Sequence, residues 1–204
     1  PEHTIQHAVL RAIKASPQKA PAKVLDLSCG DGDILEQLAG IGFTVEGTHY
    51  KEDDYILRNR SPILETALIH KETDLTQPLP FPDASFDIVL ATEVFEHLPS
   101  HATILNEVGR ILAPGGLLVF TTPNVHRLSS RFQFLLTGTH SMSGARLGWH
   151  VSKKDLYSTH FNPVYFPVVH SLLHQSGLTT TALGVTKAQL GSILLLPLLY
   201  PALL

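Results

Sequence analysis

The pattern of apolar and polar residues predicts strands and helices in alternation along most of the chain. Apolar residues recur at helical spacing over residues 3 to 15, which predicts an amphipathic first helix. Further on, apolar runs predict strands, and helical spacing between them predicts more helices. The predicted strands cover 24–27, 43–48, 68–72, 87–92, 117–122 and 178–185, and the later helices cover 34–39, 51–60, 104–112, 127–136 and 165–175. This order predicts the α/β fold class, with a doubly wound, mainly parallel sheet and helices on both faces.

A tight glycine turn joins the first strand to the next helix. The predicted strand ends at Leu27, Gly30 and Gly32 follow, and apolar residues resume helical spacing at Ile34. A strand, a glycine turn and a helix N-terminus together bring a nucleotide-like ligand against the backbone. Leu35 replaces the third glycine of a dinucleotide site, and no Gly-Lys-Ser/Thr phosphate loop occurs. Both of those site classes are therefore disfavoured.

Candidate ligand-binding residues also follow the second and third strands. In nucleotide-binding α/β folds the second strand ends in an acid that accepts hydrogen bonds from the ribose, but His49 stands at that position. A neutral imidazole accepts one hydrogen bond, so either His49 makes a single ribose contact or Tyr50, Asp53 or Asp54 supplies the rest. Asp74, after the third strand, is expected to reach an adenine amino group.

Composition narrows the function classes. The chain has 204 residues, 44% of them apolar and 16% charged, which predicts one globular domain over 1–204. The formal net charge is only −3 and the basic residues are scattered, so no nucleic-acid partner is expected. A single cysteine excludes an internal disulfide framework and a cysteine-rich zinc site, and it is typical of a reducing compartment. With no signal-peptide pattern at the N-terminus, a cytoplasmic location is expected.

The segment 190–204 is almost entirely apolar. It contains two prolines and is too short to span a membrane as it stands. It is predicted to form a core or interfacial helix, with peripheral membrane contact in the second case, or to begin a longer hydrophobic segment.

Five segments in order resemble class I S-adenosylmethionine-dependent methyltransferases, a Rossmann-like family. They are Asp26-Leu-Ser-Cys-Gly-Asp-Gly32 and the stretches 79–89, 93–98, 110–118 and 121–124. The resemblance covers a core of about 22–125 and leaves a substrate-side insert of about 125–162. From residue 122 to 163 the chain is also similar to a bacterial subgroup whose substrate is undefined.

The resemblance implies a set of residues that bind S-adenosylmethionine and release S-adenosylhomocysteine. Asp26 would orient the glycine turn and the methionyl amino group, and the other contacts would come from the turn and from the strand ends. Those residues are Ser28, Cys29, Gly30 and Gly32 in the turn, His49 and Tyr50 at the ribose, Asp74 and Leu75 at the adenine, and Thr92 and Glu93 at the methionyl end.

The implied reaction is methyl transfer to an unidentified small-molecule or glycoconjugate acceptor, with a hydroxyl as the expected methylated group. Such a hydroxyl must lose a proton, and His97 and His160 are the candidate general bases. The main prediction assigns no metal ligand.

Three other functions are kept as alternatives. A cofactor-binding protein without turnover is suggested by His49 and the irregular insert, and a nucleotide-dependent oxidoreductase would bind NAD instead. Glu93, Glu96 and His97 also resemble three of the metal ligands in small-RNA 3′-end ribose methyltransferases. A fourth ligand there would come from His126, His140 or His160, although the lack of a basic surface disfavours an RNA substrate.

Overall fold

The computed structural model describes residues 2–49, 67–70, 72–140 and 159–186. The predicted helix over 51–60, Tyr50, residues 141–158 of the 125–162 insert and the apolar segment 190–204 lie outside the described residues. Predictions that fall on them, and the prediction of a single domain over 1–204, stay predictions.

Five parallel strands form the central sheet in the order β3-β2-β1-β4-β5. Val24 in β1 pairs with Val45 in β2 on one side and with Ile88 in β4 on the other. The strands are β1 Lys23–Asp26, β2 Thr44–Thr48, β3 Leu68–His70, β4 Phe86–Thr92 and β5 Leu112–Thr121. Because all five run the same way, their carboxyl ends meet along one edge of the sheet.

Helices cover both faces of this sheet. Along β4, Ile88 and Leu90 face one apolar core while Val89 and Ala91 face the other, as expected of a strand buried on both sides. The helices in the described part of the chain are α1 Glu2–Ala15, α2 Asp33–Gly40, α3 His101–Ile111, α4 Leu128–Thr137 and α5 Phe166–Gln175, with a 3₁₀ turn at Phe95–His97. Buried residues of α1 and α2 contribute to one core, and those of α3 and α5 contribute to the other. The predicted fold class is confirmed.

Two strand predictions were inaccurate. β5 begins five residues earlier than expected, because a bulge between Phe86 and Ile88 lets Leu112 pair before the register shifts to Leu117. The predicted sixth strand, Leu178–Val185, is wrong, because this stretch has no strand structure and pairs with none of the described strands. Its side chains Leu183 and Val185 are 74% and 71% exposed. A β-prone run becomes a strand only when a partner and a buried face are available.

Glu46 links the three strands β1, β2 and β3. Its carboxylate accepts from Lys23 Nζ at 2.6 Å and pairs with His70 Nε2 at 2.8 Å. Burial alone would raise the pKa of Glu46, but hydrogen bonds from these two partners, together with their charges, lower it below its ordinary value.

None of the described helices has the length and apolar character that crossing a membrane requires.

Candidate functional site

The glycine turn after β1 is fastened to the strands on both sides. Leu27 donates its backbone N–H to Leu90 O at 2.8 Å on the β4 side. On the β2 side, Ser28 N–H donates to Thr48 Oγ1 at 3.0 Å and Cys29 N–H donates to Thr48 O at 3.0 Å. The sequence analysis did not single out Thr48. Its position as the last residue of β2, at the carboxyl edge of the sheet, could have indicated a contact with the turn. These bonds fix the turn at the carboxyl edge of the sheet.

The path of the turn depends on three glycines with different roles. Gly30 and Gly32 have φ of +56° and +88°, a region that favours glycine, and Gly32 precedes the first residue of α2. A Cβ on Gly30 would meet no atom within 4 Å, so the backbone there faces open space. Gly47 in β2, by contrast, lies under the turn, and a Cβ there would come within 2.8 Å of Cys29 Sγ.

Asp26 is the buried acid of the site. Its side chain is 2% exposed, and no described residue donates a hydrogen bond to its Oδ1. Burial raises the pKa of Asp26 from 3.8 to about 8, because a carboxylate loses its hydration there. Buried polar atoms in native proteins are nearly always paired, so an unsatisfied oxygen at a strand end calls for a donor.

The ends of β2 and β3 are joined through the backbone of His49. Its N–H donates to His70 O at 3.0 Å, and its carbonyl accepts from Thr73 N–H at 3.0 Å.

Asp74 and Leu75, the residues expected at the adenine, follow Thr73. Asp74 is half-buried, and its Oδ1 accepts hydrogen bonds from both the amide and the hydroxyl of Thr76, at 2.9 Å and 2.7 Å. Leu75 packs into the core with Leu79 and Phe81 rather than lying at the surface.

The end of β4 has a second set of polar groups. Glu93 adopts φ of +52°, an unusual region for a residue with a Cβ. Thr121 at the end of β5 holds it there, since its carbonyl accepts from Glu93 N–H at 3.1 Å and its hydroxyl donates to Glu93 Oε1 at 2.9 Å. The neighbouring hydroxyls of Thr92 and Thr122 are buried, and neither makes a hydrogen bond with a described residue.

His97 and His160 lie together, although they are 63 positions apart in the chain (160 minus 97). Their rings are perpendicular with centroids 4.5 Å apart, and His160 Nε2 is 3.9 Å from Glu96 Oε1. Burial, and the neighbouring His97, lower the pKa of His160. The sequence named both histidines as candidates without indicating that they meet.

Glu96 is fully buried beneath the two histidines. Burial, with the nearby Glu93 carboxylate adding to it, raises the pKa of Glu96 to about 8. Glu93 and Thr122 lie close enough to influence this pKa, but no described group donates a well-formed hydrogen bond to either carboxylate oxygen.

Asn162 explains why His160 returns to the 3₁₀ turn. Its backbone N–H donates to Glu96 O at 3.1 Å, and its side-chain amide donates to Leu98 O at 2.7 Å. The sequence analysis missed this residue. An asparagine directly before a proline is a common loop signal and does not reveal a partner 64 residues away.

The other two histidines considered as metal ligands lie elsewhere. His126 Nε2 accepts from Phe166 N–H at 3.3 Å, and His140 pairs with Ser130 Oγ at 3.2 Å and Tyr165 OH at 3.0 Å. Of the three candidates, only His160 belongs to the cluster with Glu96 and His97 that could hold a metal ion in the described part of the chain.

The first helix reaches the site at the start of α2. Gln6 in α1 donates from Nε2 to Asp33 Oδ2 at 3.2 Å, and the buried residues of α1 share a core with α2. These contacts place α1 beside the start of α2, next to the glycine turn.

A family model described as a methyltransferase domain matches residues 2–183 of this chain. Among curated proteins, a ubiquinone biosynthesis O-methyltransferase of Thiobacillus denitrificans is 32% identical over 129 residues, covering 61% of this chain and 54% of that protein. A protein of Mycolicibacterium smegmatis named a probable S-adenosylmethionine-dependent methyltransferase is 35% identical over 102 residues, covering 50% and 38%. The chain therefore spans about half the length of the curated relatives that it matches.

Solved structures agree on the fold. A chain from the complex between the Haloferax volcanii Trm112 methyltransferase activator and a candidate methyltransferase aligns with a TM-score of 0.63 at 18% identity, covering 89% of this chain and 72% of that one. The family-model match over residues 2–183 confirms the family that the five sequence segments resemble. The chain belongs to the methyltransferase-domain family.

Proposed function

We propose that this protein transfers a methyl group from S-adenosylmethionine to a hydroxyl of a small-molecule or glycoconjugate acceptor. The observation that carries the proposal is the pair of unsatisfied buried oxygens, Asp26 Oδ1 and Thr92 Oγ1, at the ends of the adjacent strands β1 and β4. They lie at the same edge as the glycine turn, where Gly30 leaves the backbone open to a ligand.

The residues present fit the cofactor. Asp26 would accept a hydrogen bond from the methionyl ammonium, which would offset the cost of ionising a buried acid. Thr92 and Glu93 would line the methionyl end, and Ser28, Cys29, Gly30 and Gly32 would present backbone groups of the turn. His49 and Tyr50 would contact the ribose, and Asp74 and Leu75 the adenine.

The chemistry needs alignment and the removal of a proton. When bound, S-adenosylmethionine supplies a methyl group that its sulfonium already activates. An acceptor hydroxyl must lose its proton as it gains the methyl group, and His97 and His160 lie at the same sheet edge to act on that hydroxyl. Holding the acceptor oxygen in line with the methyl group accounts for most of the expected rate gain.

The names of the relatives support an oxygen acceptor on a small molecule. Several of the matching curated proteins are ubiquinone biosynthesis O-methyltransferases, which are 26% to 32% identical to this chain. This supports the hydroxyl assignment without specifying the acceptor.

Calorimetric titration with S-adenosylhomocysteine tests the cofactor site. We expect 1:1 binding by the wild-type protein, a loss of at least tenfold in affinity in Asp26→Asn, and little change in Asp31→Asn, an exposed carboxylate in the same turn. Absence of binding in a folded sample, or equal loss in both variants, would contradict the proposal. Tight binding of NAD in its place would support the oxidoreductase alternative.

A transfer assay tests turnover. With methyl-labelled S-adenosylmethionine and pools of phenolic, catecholic and sugar hydroxyl acceptors, we expect label in an acceptor fraction, and loss of that label in His97→Ala. Cofactor binding with no transfer to any pool would favour the binding protein without turnover.

A further inference from the structure

We propose that Glu96, His97 and His160 form a binding site for a divalent first-row transition-metal ion, of the kind exemplified by Zn²⁺ and Mn²⁺. The site lies at the carboxyl edge of the sheet, directly after β4 and beside Glu93. Nothing in the proposed methyl transfer requires it, so the two proposals are tested separately.

The three donor atoms lie close enough together for small side-chain movements to bring them onto one metal ion. One carboxylate oxygen and one nitrogen from each imidazole lie within 4.8 Å of one another, and Glu96 Oε1 is 3.9 Å from His160 Nε2. In a tetrahedral site with bonds of about 2.1 Å, two ligand atoms lie about 3.4 Å apart. The most widely spaced pair would therefore have to approach by up to about 1.4 Å, which rotations of the side chains can supply.

The carboxylate gives the strongest argument for a ligand. Glu96 is completely buried, and neither of its oxygens accepts a well-formed hydrogen bond from a described residue, although Thr122 and Glu93 lie nearby. Leaving two carboxylate oxygens buried and unsatisfied is costly, and buried charges in proteins are normally paired or bound to metal. A cation held with the two imidazoles would satisfy this carboxylate.

The surroundings hold the three ligands in place. Asn162 donates hydrogen bonds to both Glu96 O and Leu98 O, and these bonds fix the segment that carries His160. On the other side, His101 Nε2 lies 3.1 Å from Phe95 O and secures the start of the 3₁₀ turn. These bonds fix the backbone from which the three side chains project.

The set of two imidazoles and one carboxylate indicates which metal ions would bind and what a bound ion could do in the reaction. This set favours zinc, manganese or iron over magnesium or calcium, which prefer oxygen ligands. Three protein ligands leave coordination positions open, as in catalytic zinc sites. If the proposed function holds, an acceptor hydroxyl entering such a position would lose its proton more readily, because the cation stabilises the oxyanion. In that case His97 and His160 would be ligands rather than general bases.

The experiment measures binding of the metal alone. Protein freed of metal with a chelator is titrated with Mn²⁺, and with Zn²⁺ or Co²⁺ in parallel, in the absence of any methyl donor. We expect one ion per chain, and affinities at least 100-fold weaker in His160→Ala and Glu96→Gln. His126→Ala is the matched control, because His126 lies outside the cluster, and it should change the affinity less than threefold.

Several outcomes would overturn the proposal. They are the absence of 1:1 binding in the wild type, an unchanged affinity in His160→Ala, or an equal loss in His126→Ala. The visible spectrum of bound Co²⁺ adds a readout that a merely structural role would not move, and it should disappear in both ligand variants while their circular dichroism stays native. Metal binding without S-adenosylhomocysteine binding would support this site and contradict the proposed function, and the converse result would do the reverse.

Discussion

Replacing Asp26 by asparagine should raise the stability of the ligand-free protein while weakening cofactor binding at least tenfold. Asp26 is 2% exposed, and its pKa is about 8 in the fold against 3.8 for an ordinary aspartate. At pH 7 about nine in ten folded molecules therefore carry the proton, whereas the unfolded chain has released it. Asparagine has nearly the same shape and no ionisation cost.

The sign follows from proton linkage. Between about pH 4 and pH 8 the folded state binds more protons than the unfolded state, so the free energy of unfolding falls as the pH rises. The full slope is about 1.4 kcal/mol per pH unit for one group. Relative to Asp26→Asn, the wild type should therefore lose about 2 to 3 kcal/mol between pH 5 and pH 7. Above pH 8 the difference should level off.

Urea denaturation of both proteins at half-unit pH steps from 5 to 9 measures this difference. Asp31→Asn makes the same charge change at an exposed position of the same turn and serves as the control. A constant difference between wild type and Asp26→Asn over this range would refute the argument, because the buried carboxyl would then ionise as in water. Lower stability of Asp26→Asn at pH 8 would refute it as well.

Two further predictions concern β2. Gly47→Ala should cost about 1 to 3 kcal/mol of unfolding free energy, because its methyl group would overlap Cys29, whereas Gly40→Ala, with nothing within 4 Å, should be neutral or slightly stabilising. Equal urea midpoints for the two variants would contradict the overlap. Glu46→Gln should lower stability at pH 6 and have less effect near pH 3, because the lowered pKa of Glu46 gives a contribution that disappears as the pH falls through it. Acid titrations monitored by circular dichroism measure the difference, and a loss that does not change with pH would exclude the ionic contribution.

Residues close in sequence were predicted well because local chemistry decides them. The apolar run that ends at Asp26 and the glycines at 30 and 32 require a strand, a turn and a helix whatever lies around them. The parallel sheet followed from the alternation of strands and helices, since parallel neighbours need crossovers. Once the sheet is parallel, polar residues after the strands must gather at one edge, which placed Asp26, His49 and Thr92 correctly in outline.

Contacts between distant segments were decided only by the tertiary structure. Apolar character predicted a strand over Leu178–Val185, but a strand also needs a partner edge, and none of the described strands provides one there. Likewise His126, His140 and His160 were equivalent candidates in the sequence. Two hydrogen bonds of Asn162, to Glu96 O and Leu98 O, help to hold His160 beside Glu96. Residue types and their local spacing determine which chemical groups the chain offers. Which of these groups come into contact depends on how distant segments are brought together when the chain folds. That step depends on tertiary packing, which a local sequence pattern does not contain.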